Sequence, residues 1–525
     1  MKSKLLLSVA FFGSIFIASS QNEPLLTSDS NGKIFFSSQN ETDLPIQNTF
    51  RNNAALDLDW SGSDYNVSNH QAVDSWNPRL AVGSDGSAHV VYNDNHTNGL
   101  QKIMYRQRDI NGDWTSPIFV DAGGEIGGRN NHFPSVAVSP NGDVHVSYNV
   151  WAFENVRNYV AYSHYDAATQ AWSDGVKISD LNGTVNHTSG RHAIYSTANN
   201  LPVVVWGYDY RENLANEEIY MSYFDGATWS TDMAVSDITD GLNAGFPHIE
   251  SMGNDTAMIV YSELIPGNSL ALNYRIYDET THMLSAPKTI PVTNVSGLQY
   301  TLLQDGNGDM RVLTMHTEDT PIRAVFTVFK YNAGTDEFEL IDTTEIASAA
   351  GNVKRIDMDC NGDNDCGIVY TDFLADNNMF LEYNDTDGFS VPLVINNENP
   401  AFDPPSCEFD ADGNIHVVWN DKRFDDGAGF DEREVIYEMG FNGIILGTTA
   451  FSQDELVVYP NPSNGITNIK TNNSYTLEIL DLLGRTINTR SISGDTTIQD
   501  LNASGTYFLR FTNNETSFVH KLIVE

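Results

Sequence analysis

An all-β chain is predicted, with a seven-bladed β-propeller followed by a small C-terminal β-sandwich. A repeated unit is the first reason. Seven times between residues 76 and 440 a short apolar run leads through a turn to a second apolar run, which mostly ends in an aromatic. The second runs end at Tyr92, Tyr148, Trp206, Tyr261, Met315, Tyr370 and Trp419, a period of about 55 residues, close to the range of repeat architectures. The turns are the second reason. They read Asp85-Gly86, Asn141-Gly142, Asn199-Asn200, Asn254-Asp255, Asn307-Gly308, Asn361-Gly362 and Asp412-Gly413, and most of these residues accept the positive φ of a tight hairpin. The third reason is that a further run follows each pair, carrying Tyr105, Tyr162, Tyr220, Tyr274, Phe326, Tyr383 and Tyr437. A fourth run such as Ser116–Val120 completes a four-stranded unit, and seven such units form a propeller.

From the N-terminus, residues 1–20 read as a signal peptide. Lys2 and Lys4 precede the apolar stretch Leu5–Ala18, and Ala18-Ser19-Ser20 forms a small-residue cleavage site before Gln21. Residues 21–75 are Asn/Ser-rich, and Lys33-Ile34-Phe35-Phe36 is the run expected to supply an outer strand that closes the ring. Residues 76–450 hold the blades and 451–525 a separate module. No later stretch is long and apolar enough for a membrane-spanning helix.

The 525 residues contain 28 Lys+Arg against 70 Asp+Glu, a formal net charge of −42. So acidic a surface argues against nucleic acid and anionic membranes as partners, and a monomer is expected. Three cysteines are too few for a disulfide framework. Cys360 and Cys366 flank one hairpin turn and can form a single bridge in an exported protein, leaving Cys407 as a buried thiol.

In a propeller the first strand of each blade lines the channel. The loop entering that strand and the loop after the second strand share one rim. Aligned on the second-strand aromatics, His89, His145 and His416 fall in one column, which marks them as structural. His132 has no counterpart, because its column holds Trp76, Gly190, Gly245 and Asp403 in other blades. It sits in the polar loop Gly128-Arg129-Asn130-Asn131-His132. In blade three, His192 and Tyr195 lie on the first strand, while Tyr208, Tyr210 and Arg211 leave the second. Tyr195 replaces the Ala81 and Ala137 of earlier blades, and is expected with Arg211 at the channel mouth.

Such a rim suits β-elimination on a uronate polysaccharide. That reaction needs a base for the proton α to the carboxylate, a cation or donors to neutralise the carboxylate, and an acid for the leaving oxygen. His132, Tyr195 and Arg211 can fill these roles without a cofactor. Arg129, Asn131, His192, Trp151, Tyr208 and Tyr210 are the expected substrate contacts, the last three by stacking on sugar faces, which a lectin would use equally. Glycoside hydrolysis would instead need paired carboxylates, or a tyrosine with a glutamate, such as Glu263 or Asp94 beside a rim tyrosine. Asp357, Asp359, Asn361 and Asp363 alternate oxygen ligands like the start of a calcium loop, but Ile368 stands where the distal glutamate belongs. A structural calcium is the one ion this stretch suggests.

Three resemblances extend this reading. Tyr459-Pro460-Asn461-Pro462-Ser463-Asn464-Gly465, then Leu477-Glu478-Ile479-Leu480-Asp481, Leu483-Gly484-Arg485, Gly505-Thr506-Tyr507-Phe508-Leu509-Arg510 and Lys521-Leu522-Ile523-Val524, closely resemble the C-terminal sorting domain of the type IX secretion system of Bacteroidota. That resemblance implies export across the outer membrane, with the type IX machinery as partner, and release or attachment at the cell surface. Asp225-Gly226-Ala227-Thr228-Trp229 resembles the Asp-box of sialidase-type propeller repeats. Where a sialidase would carry Arg-Ile-Pro, however, the first blade has Asn77-Pro78-Arg79-Leu80. The order His132, Tyr195, Arg211 resembles secreted seven-bladed ulvan lyases. That likeness implies that Arg211 neutralises the uronate carboxylate while His132 and Tyr195 share the two proton transfers. The expected function is thus a polysaccharide lyase acting on an acidic, ulvan-like polysaccharide. The alternatives are a non-catalytic glycan-binding propeller at the cell surface and a sialidase-like glycosidase.

Overall fold

The structure, a computed structural model, describes residues 26–28, 34–36, 58–60, 64–69, 74–95, 100–120, 126–151, 158–179, 188–208, 217–265, 269–295, 299–319, 322–346, 353–372, 377–396, 403–423 and 433–442. It also describes 456–524 except 460, 462, 472–473, 481–484, 500, 502 and 513–516. The expected signal peptide lies outside the described residues.

Seven antiparallel meander sheets form the blades. Blade one comprises Ser75–Val82, Ala88–Asn95, Gln101–Arg108 and Ile118–Phe119, and blade two opens with Asn130–Val138, Val144–Trp151 and Tyr159–Asp166. The first strands of blades three to seven are Thr188–Ser196, Asn243–Gly253, Gln299–Gln304, Val353–Cys360 and Ser406–Phe409. Each first strand lies against that of the next blade, and Ser406–Phe409 returns to Ser75–Val82, so the ring closes.

Closure departs from expectation. Ile34–Phe36 pairs with Leu26–Ser28 in a sheet of its own. The outer strand of blade seven is instead supplied by Leu58–Trp60 and Tyr65–Asn66, both paired with Glu434–Asn442. Aromatic packing explains the choice: Trp60 meets Phe380 edge-on at 5.0 Å, and Tyr65 stacks on Trp114 at 5.1 Å. An N-terminal and a C-terminal piece thus share one sheet.

The hairpin turns follow the predicted chemistry, with Gly86, Gly142, Asn200, Asn254, Asp255, Gly308 and Gly413 all at positive φ. In blade six the left-handed residue is Asn364, so the tight turn is Asp363-Asn364 and not Asn361-Gly362. The side-chain oxygen of Asn361 accepts the amides of Asp363 and Asp365, an Asx turn of the kind Asp305 and Asp410 also build. Blade five is offset by one residue: Arg311 stands six residues after its turn-opening Asp305, as His145 does after Ser139, so Thr314 and not Met315 occupies the aromatic column. The Cys360–Cys366 disulfide spans the blade-six turn, and Cys407 is a buried free thiol.

The three column histidines latch blades together. His89, His145 and His416 each place Nδ1 2.6–2.8 Å from the hydroxyl of Tyr105, Tyr162 or Tyr437. An indole from the next blade meets each of these tyrosines edge-on, namely Trp172, Trp229 and Trp114 at 4.9–5.1 Å. Other seams use carboxylates. First strands have an unpaired edge, and a buried edge N–H needs an acceptor. Asp357 accepts from the Cys407 amide, Asp359 from Phe409 and Glu408 from Val82, at 2.7–3.0 Å.

The C-terminal module forms two sheets, one of Leu456–Tyr459, Thr467–Thr471 and Thr496–Ile498, the other ordered Thr486–Ser493, Ser474–Leu480, Gly505–Thr512, Ser517–Val524. A core that includes Ile469, Leu477, Leu509, Phe511 and Leu522 fills it.

Candidate functional site

The rim is shaped by a local motif at the start of several first strands. Asn77, Phe133 and Phe246 each precede a proline and each takes a left-handed φ, of 50°, 53° and 57°. A residue before proline is confined to extended conformations, and for a bulky aromatic a positive φ is an outlier. Register shifts accompany all three, between Trp76/Arg79, Ser147/Asn149 and Gly245/His248. Bulges of this kind re-aim side chains beside functional sites.

In blade two the motif places His132. The side-chain amide of Asn93, from blade one, donates to the Asn131 carbonyl at 2.8 Å and accepts the Phe133 amide at 2.9 Å. It therefore clamps the backbone on both sides of the histidine. The imidazole lies 4.6 Å from the ring of Trp151 and 5.8 Å from that of Trp76. It is 5% exposed, and neither ring nitrogen has a hydrogen-bond partner among the described residues. Burial holds its pKa at about 4, so the ring is neutral at physiological pH. Trp151 is 39% exposed and covers the histidine from the rim side.

Contacts continue into blades one and seven. The Arg433 guanidinium lies 5.2 Å over Trp76 and is held by Asp74 at 2.6 Å and Asp403 at 3.2 Å. Asp403 in turn accepts from the Asn420 amide at 2.6 Å. The Trp76 indole nitrogen, the Asn77 amide nitrogen and the Asn420 carbonyl oxygen are buried and have no partner among the described residues. An aromatic and hydrogen-bonding strip thus runs from blade seven through blade one to His132.

Other sequence-derived positions fall differently. Asn131 is buried, its side-chain nitrogen donating to the Ile126 carbonyl, and the Arg129 carbonyl accepts from Lys102. His192 sits between blades two and three with Nδ1 2.9 Å from the Ser147 hydroxyl. Burial brings its pKa down to about 4, a backbone hydrogen bond at Phe133 opposes this, and the Arg79 charge reinforces it. Tyr195 is not at the mouth. Ser139 and Thr197 open equivalent turns; His132 stands seven residues before its turn and Tyr195 two before its own. That separates the two levels by roughly 17 Å along the channel. The Tyr195 ring packs among Val203, Val205, Ile249 and Ile259, and its hydroxyl donates to Glu279 at 2.7 Å. It is a core tyrosine at the hairpin-turn end. A strand tyrosine replacing alanine fills space between blades, and sequence alone cannot tell which end of the strand it serves. Tyr208 continues the second strand of blade three opposite Thr188, while Tyr210 and Arg211 lie outside the described residues.

Asp357, Asp359, Asn361 and Asp363 do not converge. The first two carboxylates cap blade-seven amides, Asp357 also accepting from Thr301 at 3.0 Å, and Asn361 caps its own turn. Among the described residues no group of three or more His, Cys, Asp or Glu is placed to hold a metal ion. Sequence reasoning missed Trp76, Asn77, Arg433, Asn420 and Phe246. The recurring residue-before-proline pattern of Asn77-Pro78, Phe133-Pro134, Phe246-Pro247 and Pro404-Pro405 would have pointed to two of them, Asn77 and Phe246.

Comparisons with known proteins complete the description. None of the curated proteins matches the chain. Among solved structures, a Dyadobacter fermentans protein of unknown function is similar at 10% identity and TM-score 0.44, over 72% of this chain and 98% of that one. An ulvan lyase bound to a glucuronate–sulfated rhamnose saccharide is similar at 12% identity and TM-score 0.44, over 73% and 96%. A Hadza microbial sialidase is similar at 11% identity and TM-score 0.41, over 72% and 68%. The profile of the secretion system C-terminal sorting domain matches residues 457–525, the module whose two sheets are described above. The C-terminal module is therefore a type IX sorting domain, and the protein is secreted, either extracellular or attached to the outer cell surface.

Proposed function

We propose that the propeller is an extracellular carbohydrate-active enzyme that cleaves a uronate-containing, ulvan-like polysaccharide by β-elimination, with His132 as the base. The observation that carries this reading is the neutral, buried imidazole at the channel mouth, with both nitrogens without a hydrogen-bond partner among the described residues and two indoles against its ring. A neutral imidazole can take the proton α to the uronate carboxylate. The C–H electrons then form the carbon–carbon double bond, and the glycosidic C–O bond breaks at the β carbon. A bound carboxylate raises the proton affinity of a nearby histidine, so substrate itself tunes the base upward. Where the α proton and the leaving oxygen lie on one face of the sugar, His132 can return the proton it has taken. Arg211, three residues beyond the second strand of blade three, is the proposed cation for the carboxylate. Trp151 supplies a stacking face.

A second reading, a surface lectin, is favoured by one observation: Tyr195, the residue expected to share the proton transfers, is remote from His132 and packs in the core at the hairpin end. Ultraviolet absorbance of the unsaturated uronate product separates the two. The purified chain acting on ulvan should produce a rising signal that His132→Gln abolishes while glycan binding persists. Binding without any absorbance change, on ulvan and on other uronate polymers, would leave the lectin.

A further inference from the structure

We infer that Phe246, on blade four, is a second sugar-stacking platform of the same mouth, gripping the CH-rich face of a pyranose unit other than the one at His132. The inference rests on the glycan-binding part of the reading above. Phe246 occupies in blade four the place Phe133 holds in blade two, at a register shift before a proline. Whereas Phe133 packs on Trp76 at 5.6 Å, Phe246 is 46% exposed. A first strand is walled by its neighbouring blades, here three and five, so what it exposes at this end faces the mouth. The conformation is held from blade five, where the Tyr300 hydroxyl donates to the Phe246 carbonyl at 2.5 Å and the Tyr300 ring lies 5.1 Å from His248.

Two costs meet at this residue. A left-handed φ at a bulky residue is strained, and such strain persists where the surrounding structure over-determines it, commonly at ligand-binding sites. An exposed phenyl ring also forgoes burial. A phenyl ring has no hydrogen-bonding group, so its ligand is recognised by an apolar face. On the ring of first strands, blade three alone separates Phe246 from His132. A chain lying across the mouth can therefore meet Trp151 and Phe246 together.

The test uses the full chain with Phe246→Gly, Phe246→Trp and His132→Gln, measuring affinity for ulvan, alginate and pectate oligosaccharides by calorimetry, elimination by absorbance, and thermal midpoint. Phe246→Gly should weaken affinity roughly tenfold and raise KM with kcat kept, while its midpoint holds or rises; Phe246→Trp should keep the affinity. Unchanged affinity and KM in Phe246→Gly would overturn the inference, as would a lowered midpoint that accounts for the loss. A wild-type chain that binds but does not cleave would remove the lyase reading and leave Phe246 to be judged on binding. Failure to bind any of the three glycans would remove both.

Discussion

Opening the cover of His132 should move its titration by a predictable amount. The imidazole titrates at about 4 against an ordinary 6.5 because burial strips water from its charged form. That difference corresponds to about 3 kcal/mol of lost hydration of the charged form. Trp151, 4.6 Å away and partly exposed, is the rim-side cover. Trp151→Ala admits water to one face of the ring and should raise the pKa toward 6.5. At pH 5.5 a group titrating at 4 is about 97% neutral, whereas one titrating at 6.5 is about 9% neutral. Complete relief would therefore cut the neutral base about tenfold at that pH and hardly at all at pH 8. NMR titration of the ring protons gives the pKa without reference to activity, and the acid limb of kcat/KM for elimination should move with it. A ring that still titrates near 4 in Trp151→Ala would refute the assignment of the shift to this cover. An acid limb that stays put while the ring pKa moves would refute His132 as the base.

Three further outcomes are expected. Burial, then the nearby Asp359 charge, pushes Glu250 up to about 7, against a lowering hydrogen bond from the Ser251 amide; the folded state thus holds its proton above the ordinary 4.5, and this stability is lost as pH rises through 7. Glu250→Gln should accordingly raise the thermal midpoint at pH 8 but not at pH 5, and equal shifts at both would contradict the assignment. In Gly367→Ala the new Cβ would lie 2.4 Å from the Ile415 side chain and 2.8 Å from Phe380, so overpacking at the seam of blades six and seven should cost about 1–3 kcal/mol in urea unfolding. A chain starting at residue 74 lacks the Leu58–Trp60 and Tyr65–Asn66 strands of blade seven; it should lose cooperative unfolding, whereas a start at residue 57 should keep it.

Local periodicity and turn chemistry are written in neighbouring residues, and they sufficed for the blade number, every hairpin turn but that of blade six, the cystine and the structural histidine column. Composition and the C-terminal motifs likewise carried the export destination. Contacts between distant segments decided the rest. Leu58–Trp60 and Tyr65–Asn66 close the ring in preference to Ile34–Phe36 because Tyr65 finds Trp114 of blade one and Trp60 finds Phe380 of blade six, the latter a match made across more than 300 residues. Asp357, Asp359 and Asn361 resembled an ion loop in sequence, yet their oxygens face edge amides that only the neighbouring strand and the turn supply. Tyr195 and His132 occupy strands that look interchangeable in the repeat. Their distance from the turns sends one to the core at the hairpin end and the other to the mouth. The strip from Asn420 to Trp151, and the strained exposure of Phe246, arise where separate blades meet, so no single repeat encodes them.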